Sequence, residues 1–245
     1  MEWVGLILIG AGVGFLGGMF GKGGSAIATP LLAAIGVPPI VAVASPLPAT
    51  VPSTLVAYLR YRRAGVSDRE VVLWSIALGT PATIVGALAT RWVDGELLVK
   101  ATEAVVAAIG AKVLVRPDPA EVVRDVDHRR LRLIAVAVAV GLLGGLLANA
   151  GGFLLVPLYL AVLRLPIKTA LAGSLAVASV LAIPGTIVHA VLGHIDWSIT
   201  AVLAAASIPL SSLGARTALR MNPARLERLY GAGLLTLGAT LFVVG

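Results

Sequence analysis

Long apolar segments run through almost the whole of this chain, and they constrain its fold more than any other feature. Ten such segments can be marked, at residues 3–20, 25–36, 39–59, 70–90, 97–115, 132–149, 152–163, 168–192, 197–216 and 228–244. About twenty consecutive apolar residues are enough for a helix to cross the hydrocarbon core of a bilayer. Most of the segments approach that length, and only 13% of the residues are charged, against about 25% in soluble domains. The sequence therefore predicts an all-α, polytopic membrane protein.

Scarce residue types exclude several functions. The chain has no cysteine and only three histidines, which are spread apart, so we expect neither thiolate chemistry nor a metal site, and no cofactor. The apolar segments contain no paired carboxylates and no Ser-His-Asp set, which argues against an enzyme and leaves no catalytic residue to assign. The net charge of +7 is attributed to basic cytoplasmic loops, and no nucleic-acid partner is expected. The first residues, MEWVGLILIGAGVG, lack a basic region and a cleavage site, and they predict a retained first helix.

The chain contains an internal repeat. The stretch GFLGGMFGKGGSAIATPLL, from Gly14, aligns with GLLGGLLANAGGFLLVPLY, from Gly141, and seven of the 19 positions are identical. With a shift of one residue the correspondence continues as far as Gly86 and Gly214. We predict two membrane repeats of about five helical segments each, at residues 1–115 and 132–245. A charged cytoplasmic linker at residues 116–131 joins them.

The distribution of basic residues predicts that the two repeats have opposite orientations. Loop 60–69 carries four arginines, whereas the equivalent loop 193–197 carries no lysine or arginine. Loop 216–228 also carries four arginines, whereas the equivalent loop 91–96 carries one. Because basic residues collect on the cytoplasmic side, equivalent loops are expected on opposite sides of the membrane. This predicts an inverted-topology repeat in the cytoplasmic (inner) membrane, with both termini outside.

Two glycine-containing breaks, GKGG at residues 21–24 and NAGG at residues 149–152, interrupt the apolar segments at matching positions. Each break precedes a segment too short to span a bilayer, which is typical of a half-helix or a re-entrant piece. The N-terminus of such a helix presents unpaired N–H groups and a partial positive charge, and it can therefore bind an anion. Matching interruptions in inverted repeats indicate a transporter site near the membrane midplane.

The two breaks and two nearby hydroxyl groups form the predicted anion site. Lys22 adds a full positive charge, and Asn149, at the equivalent place, adds a neutral donor. For Lys22, the alternative is that its side chain snorkels to the membrane surface. For Ser45 and Ser174, the alternative is that their hydroxyls bond to carbonyls of their own helices. The predicted substrate-binding residues are Gly21, Lys22, Gly23, Gly24, Ser25, Ser45, Asn149, Gly151, Gly152 and Ser174.

The order of these motifs resembles that of a known family. The pattern G-F-L-G-G-x-x-G-x-G-G, followed by P-L-L, A-V-A-S-P-L and Y-R-R-A-G-V, and copied imperfectly later, is similar to the TauE/SafE sulfite exporter family. The resemblance covers nearly the whole chain. It implies a multispanning inner-membrane transporter for sulfite, organosulfonates or related sulfur oxyanions, driven by an ion gradient. The first break of the family usually reads G-I-G-G-G, whereas this chain has Gly21-Lys22-Gly23-Gly24-Ser25.

The predicted function is a secondary transporter that moves a small sulfur-containing oxyanion by alternating access around a midplane site. Two other functions fit the sequence: a passive anion channel, and a non-transporting membrane subunit that serves as a scaffold. The predicted partners are the anion, the lipid bilayer and a coupling ion, either a proton or sodium. The sequence also allows a homo-oligomer and leaves the oligomeric state open.

Overall fold

The computed structural model describes residues 3–21, 25–89, 126–146 and 152–244. These residues form ten helices and no strand, which confirms the predicted all-α class. The helices are α1 (Trp3–Phe20), α2 (Ser25–Ala34), α3 (Pro39–Ala44), α4 (Pro46–Arg63), α5 (Arg69–Ala89), α6 (Val126–Leu146), α7 (Gly152–Ala161), α8 (Ile167–Val191), α9 (Trp197–Arg220) and α10 (Pro223–Val244). The predicted segment 97–115 lies outside the described residues.

Within the described residues, four stretches are long and apolar enough to cross a membrane: Trp3–Phe20, Pro39–Arg63, Ile167–Val191 and Trp197–Arg220. Their outward side chains are apolar as well. Val4, Leu8, Val191 and Trp197 are each more than half exposed. Apolar surface on several long helices is unfavourable in water but is the ordinary outer surface of a protein in lipid. The fold is that of a multi-pass membrane protein.

The two short predicted segments are short helices. α2 and α7 have ten residues each, which gives a length of about 15 Å, roughly half the hydrocarbon core. Each contains one proline, Pro30 in α2 and Pro157 in α7, at equivalent positions. Neither helix can span a bilayer alone.

The helices of the second half begin at positions equivalent to those of the first. α2 and α7 start at equivalent residues of the two sequence copies, and so do α3 and α8, and α5 and α9. Asp68 Oδ1 accepts hydrogen bonds from two backbone N–H groups at the start of α5. The equivalent Asp196 caps α9 in the same way. A side-chain oxygen at this position satisfies donors that the helix leaves unpaired. The sequence repeat is therefore also a repeat of local structure.

The first helix of each repeat packs against a helix of the other repeat. α1 lies along α9, and Gly14 contacts the backbone of Ser207 so closely that a Cβ there would overlap it. α6 lies along α5, where Gly141 is equally close to the backbone of Gly79. Gly141 is the equivalent of Gly14, and Gly79 is the equivalent of Ser207. Small residues allow helix backbones to approach in this way, and the two halves are interleaved as a result.

α4 and α8 pack against each other at the centre of the molecule. All residues of α8 from Ala170 to Ser179 are buried. α3 and α4 form one bent stretch, because the helix is interrupted at Ser45 and Pro46 has no N–H to continue the hydrogen-bond ladder. This central pair of helices positions the hydroxyl groups described below.

Candidate substrate and ion-binding site

Helix ends flank both glycine breaks. α1 ends at Phe20, and α2 begins at Ser25. α6 ends at Leu146, and α7 begins at Gly152. The first N–H groups of α2 and α7 have no partner within their own helix and lie at the positive end of its dipole. Ser25 and Gly152 therefore stand at helix ends that can attract an anion.

Gly21 and Ser174 are in direct contact. The Ser174 hydroxyl donates to the carbonyl oxygen of Gly21 at 2.6 Å and lies 3.1 Å from the carbonyl oxygen of Leu171 in its own helix. Gly21 has a φ of 67°, in the left-handed region that favours glycine. A Cβ on Gly21 would come 2.6 Å from Ser174 Oγ. The end of α1, just before the first break, is thus fixed against the buried centre of α8.

Ser45 contacts the start of α9. Its Oγ accepts a hydrogen bond from the N–H of Asp196 at 3.0 Å, and its carbonyl oxygen accepts one from Thr200 Oγ1 at 2.8 Å. Ser45 is fully buried. The bend between α3 and α4 is therefore joined to the first turn of α9.

The structure thus brings together some of the predicted site residues. Gly21 and Ser174 meet at the end of α1, whereas the hydroxyl and the carbonyl of Ser45 bond to the start of α9. Ser25 and Gly152 are the first residues of the two short helices. The other predicted site residues lie outside the described residues: Lys22, Gly23, Gly24, Asn149 and Gly151.

A group of buried hydroxyls between α1, α4 and α9 was not part of the predicted site. We call it the hydroxyl cluster, and its members are Thr50, Ser53, Thr54, Ser207 and Ser211. Each of these residues is at most 5% exposed. Together with glycines of α1 they line two adjoining cavities of about 10 Å³ each. The only sequence signal is spacing: the members within α4, and those within α9, follow the i, i+3, i+4 pattern of one helix face. Spacing does not reveal that the two faces meet.

Comparison with known proteins supports the motif pattern. The profile of the sulfite exporter TauE/SafE family matches residues 6–241, which includes nearly all of the described helices. The chain belongs to the sulfite exporter TauE/SafE family. The resemblance carried by the glycine-rich motifs is thereby confirmed. No solved structure matches this TauE/SafE chain.

Relatives of this TauE/SafE protein align over almost their full length. A "Probable membrane transporter protein" of Xylella fastidiosa (strain 9a5c) is 27% identical, and the alignment covers 98% of this chain and 94% of the relative. "Probable membrane transporter protein YunE" of Bacillus subtilis (strain 168) is 24% identical, with 100% and 99% covered. "Probable membrane transporter protein MJ0441" of Methanocaldococcus jannaschii is 25% identical, with 95% and 92% covered. With the apolar helices, these findings show that the TauE/SafE chain is a multi-pass membrane transporter and not an enzyme.

Proposed function

We propose that this protein is a secondary transporter that moves a small sulfur oxyanion, of the sulfite or organosulfonate class, across the cytoplasmic membrane. In this proposal residues 1–115 and 132–245 are inverted repeats, residues 116–131 form a cytoplasmic linker, and both termini face outward. The observation that carries the proposal is the pair of ten-residue helices α2 and α7, which follow matching glycine breaks. Half-length helices at matching positions of two repeats are typical of the substrate site of a transporter.

The directions of equivalent helices support an inverted repeat. α4 begins beside the start of α9, through the hydrogen bond between Ser45 and Asp196. α8 begins beside the end of α9, where Lys168 Nζ donates to the carbonyl oxygen of Leu219 at 2.8 Å. Since the stretch α3–α4 is the equivalent of α8, this one pair of equivalent stretches runs in opposite directions relative to α9, as the proposed inversion requires.

The contacts of Arg129 support the proposal that the linker and the loop between α4 and α5 lie on the same, cytoplasmic side of the membrane. Arg129, at the end of the linker, forms ion pairs with Asp68 at 2.5 Å and with Glu70 at 3.1 Å. The described end of the linker, at Arg129, therefore adjoins the start of α5 and the basic loop before it. Basic loops on one side of the membrane are the usual marker of the cytoplasm.

The proposed substrate site lies between the N-termini of α2 and α7. A sulfur oxyanion presents several acceptor oxygens, and backbone N–H groups at a helix N-terminus are donors that suit them. Lys22 adds a positive charge, Asn149 adds an amide donor, and the glycines of the breaks let the anion approach the backbone. The Ser174 hydroxyl holds Gly21 in place beside this site, and Ser45 ties the bend of α3–α4 to α9.

The interleaved packing supports a particular form of alternating access. α1 is joined closely to α9, and α5 is joined closely to α6, so each closely packed pair contains one helix from each repeat. The units that rock are therefore these composite pairs, and they move about the central helices α4 and α8. Such rocking exposes the midplane site to one side of the membrane at a time.

The test of this proposal is anion-dependent thermal stabilisation of the purified protein. Sulfite, sulfate, thiosulfate, a short sulfonate and chloride are compared at equal ionic strength. A ligand present at about 100 times its Kd stabilises the folded state by about 2.7 kcal/mol. We expect one sulfur oxyanion to raise the Tm of the wild type and of Lys22→Arg, which keeps the charge. The rise should be absent in Lys22→Ala.

Counterflow in proteoliposomes separates a carrier from a channel. Unlabelled sulfite inside the vesicles should accelerate uptake of radiolabelled sulfite if one site alternates between the two sides. Uptake without acceleration by internal sulfite would favour a passive channel. Neither uptake nor a Tm rise with any of these anions would contradict the proposed substrate class.

A further inference from the structure

Four basic side chains from three helices meet around the C-terminal end of α9. We call them the cation cluster, and its members are Arg60, Lys168, Arg216 and Arg220. Arg60 Nε, from α4, donates to Ser212 Oγ at 2.8 Å, and Lys168 Nζ, from α8, donates to the carbonyl oxygen of Leu219 at 2.8 Å. The other two members belong to α9 itself. Ser212 and Leu219 lie about two turns apart on one face of α9, so α4 and α8 bring their cations to the same side of this helix.

The cation cluster has no acidic partner in the part of the chain that the structure describes. The described ion pairs join Asp68 and Glu70 to Arg129 and Arg130, and none of them involves the cluster. Its protein partners, a hydroxyl and a backbone carbonyl, are neutral. The end of the α9 dipole supplies only about half a negative charge. Four positive charges therefore repel one another here unless an anion lies between them.

The arginines of the cation cluster still have donors to offer. A guanidinium has five N–H donors, and Arg60 uses only its Nε in the described structure. Arg216 and Arg220 are exposed and have no hydrogen-bond partner among the described residues. A guanidinium can bind the oxygens of a phosphate through two parallel hydrogen bonds. Because Arg216 and Arg220 are neighbours one turn apart on the helix, they can bind one phosphate between them.

The face of α9 that leads to these arginines is exposed and apolar. Its residues follow one another at a spacing of four, which keeps them on one side of the helix: Ala201, Ala205, Pro209 and Leu213. Leu213 is 48% exposed and comes directly before Arg216 and Arg220 on this face. Such a face on a membrane-spanning helix contacts acyl chains. A lipid whose chain lies along this face has its headgroup at the arginines.

The other repeat shows what the same positions contact when they carry no charge. The equivalents of Arg60, Lys168 and Arg216 are apolar: Val188, Ile40 and Leu88. These side chains are 54%, 48% and 62% exposed, and exposed apolar side chains on membrane helices contact lipid. The fold therefore needs no cation at these positions. The cation cluster occupies positions that face lipid and not an aqueous pocket of the transporter.

We infer that the cation cluster binds the phosphate of an anionic phospholipid. Arg216 and Arg220 hold the phosphate oxygens, Arg60 adds donors from α4, and an acyl chain lies along Leu213. The cytoplasmic leaflet carries anionic lipids, and basic pockets between membrane helices on that side bind phosphate headgroups. The proposed topology decides only which leaflet supplies the lipid. The site itself depends neither on that topology nor on the proposed substrate.

A phosphate bound by the cation cluster also joins three helices. One cation comes from α4, one from α8 and two from α9. Because the bound lipid neutralises their mutual repulsion, it stabilises the packing of the central helices against α9. Binding should therefore be visible as a rise in Tm.

The experiment is lipid-dependent stabilisation of the full-length protein, delipidated in a neutral detergent. Phosphatidylglycerol, phosphatidylcholine and inorganic phosphate are titrated at about 0.15 M salt, where diffuse attraction beyond about 8 Å is screened. Arg216→Gln/Arg220→Gln is compared with the matched control Arg225→Gln/Arg228→Gln, which removes two exposed arginines from the start of α10. We expect only phosphatidylglycerol to raise the Tm of the wild type and of the control. The concentration for half of this effect should rise about tenfold or more in Arg216→Gln/Arg220→Gln.

Two further measurements keep the test decisive if that double variant does not fold. Arg216→Leu replaces it, because Leu88 occupies the equivalent position. Native mass spectrometry of the wild type counts the phosphatidylglycerol that stays bound and does not depend on unfolding. At least one phosphatidylglycerol should remain bound to the wild type when phosphatidylcholine has been lost.

Several results would overturn the inference. Equal stabilisation by phosphatidylcholine would mean that the charge of the lipid is not recognised. Equal stabilisation by inorganic phosphate would indicate a site for a soluble anion. A weakening of similar size in Arg225→Gln/Arg228→Gln would indicate diffuse attraction to the whole basic surface. None of these measurements uses sulfite, so a failure here leaves the proposed substrate untouched, and a failure of sulfite counterflow leaves the lipid site untouched.

Discussion

At the scale of single residues, the contact between Gly21 and Ser174 places two demands on one position. The backbone at Gly21 has a positive φ, and the space beside its Cα is filled by a buried hydroxyl. Gly65 has a similar φ of 74°, but a Cβ there would meet nothing within 4 Å. Substitutions at these two glycines therefore separate the cost of a side chain at positive φ from the cost of steric overlap.

We expect Gly21→Ala to lower the Tm more than Gly65→Ala. Both substitutions force alanine into the left-handed region, at a cost of about 1–2 kcal/mol. Only Gly21→Ala also crowds a packed interior, which adds about 1–3 kcal/mol. Thermal unfolding in detergent, followed by circular dichroism, measures the difference. Equal losses in the two variants would mean that Ser174 moves aside without cost.

The hydroxyl cluster marks the limit of what residues alone predict. Ser207 and Ser211 look like ordinary polar residues within an apolar helix, where a serine usually bonds to its own backbone. They belong to a buried cluster only because they meet the face of α4 that carries Ser53 and Thr54. That face lies about 150 positions away in the chain. The glycine breaks were visible in the sequence because the same interruption occurs twice. The hydroxyl cluster occurs once, so no repeated sequence pattern predicts it.

At the scale of helices, the sequence predicted the described elements well because the chain marks their ends with glycine, proline and charge. The first helix has the predicted bounds, 3–20. The third predicted segment, 39–59, continues as helix to Arg63, because Tyr61 turns inward and is fully buried although charged residues surround it. α6 begins at Val126 and not at the predicted residue 132, because Arg129 is paired with Asp68 and Glu70. Such tertiary contacts extend a helix beyond its apolar part.

The close packing of α1 on α9 gives a prediction at this scale. Gly14→Ala should destabilise the protein, since its Cβ would overlap the backbone of Ser207 and the helices would have to separate. Gly12→Ala, two residues earlier on the exposed side of α1, should be neutral or stabilising. A Cβ there meets nothing within 4 Å, and alanine is favoured over glycine in a helix by about 1 kcal/mol.

The measurement is the midpoint of thermal unfolding of both variants in the same detergent. Opposite signs of the two changes in Tm would support close packing of α1 on α9. A loss of similar size in both variants would indicate that α1 as a whole tolerates no change, and would contradict the specific contact at Gly14.

At the scale of the whole molecule, the proposed topology makes a prediction about equivalent residues. Ala64 and Leu192 follow α4 and α8 at equivalent positions, and both are exposed. Because the natural chain has no cysteine, a single cysteine can be introduced at either place and labelled with a membrane-impermeant thiol reagent. We expect Leu192→Cys to react in intact cells and Ala64→Cys to react only after permeabilisation.

Asn222→Cys, between α9 and α10, provides the control, because the proposed topology puts the basic loop 216–228 in the cytoplasm together with Ala64. It should behave like Ala64→Cys. Reaction of Ala64→Cys and Leu192→Cys under the same conditions would contradict the inverted repeat, whatever the substrate of the transporter.

The interleaving of α1 with α9 also bears on how the chain is assembled during synthesis. α1 is made before the other described helices, whereas α9, whose backbone fits against Gly14 and Gly18, follows most of them in the chain. In the membrane, helices insert first and associate afterwards. The glycine-lined face of α1 therefore stays exposed to lipid until α9 has been translated and inserted. For the same reason, a fragment that ends after the first repeat lacks the helix that covers Gly14 and Gly18, and this face of α1 then stays exposed to lipid.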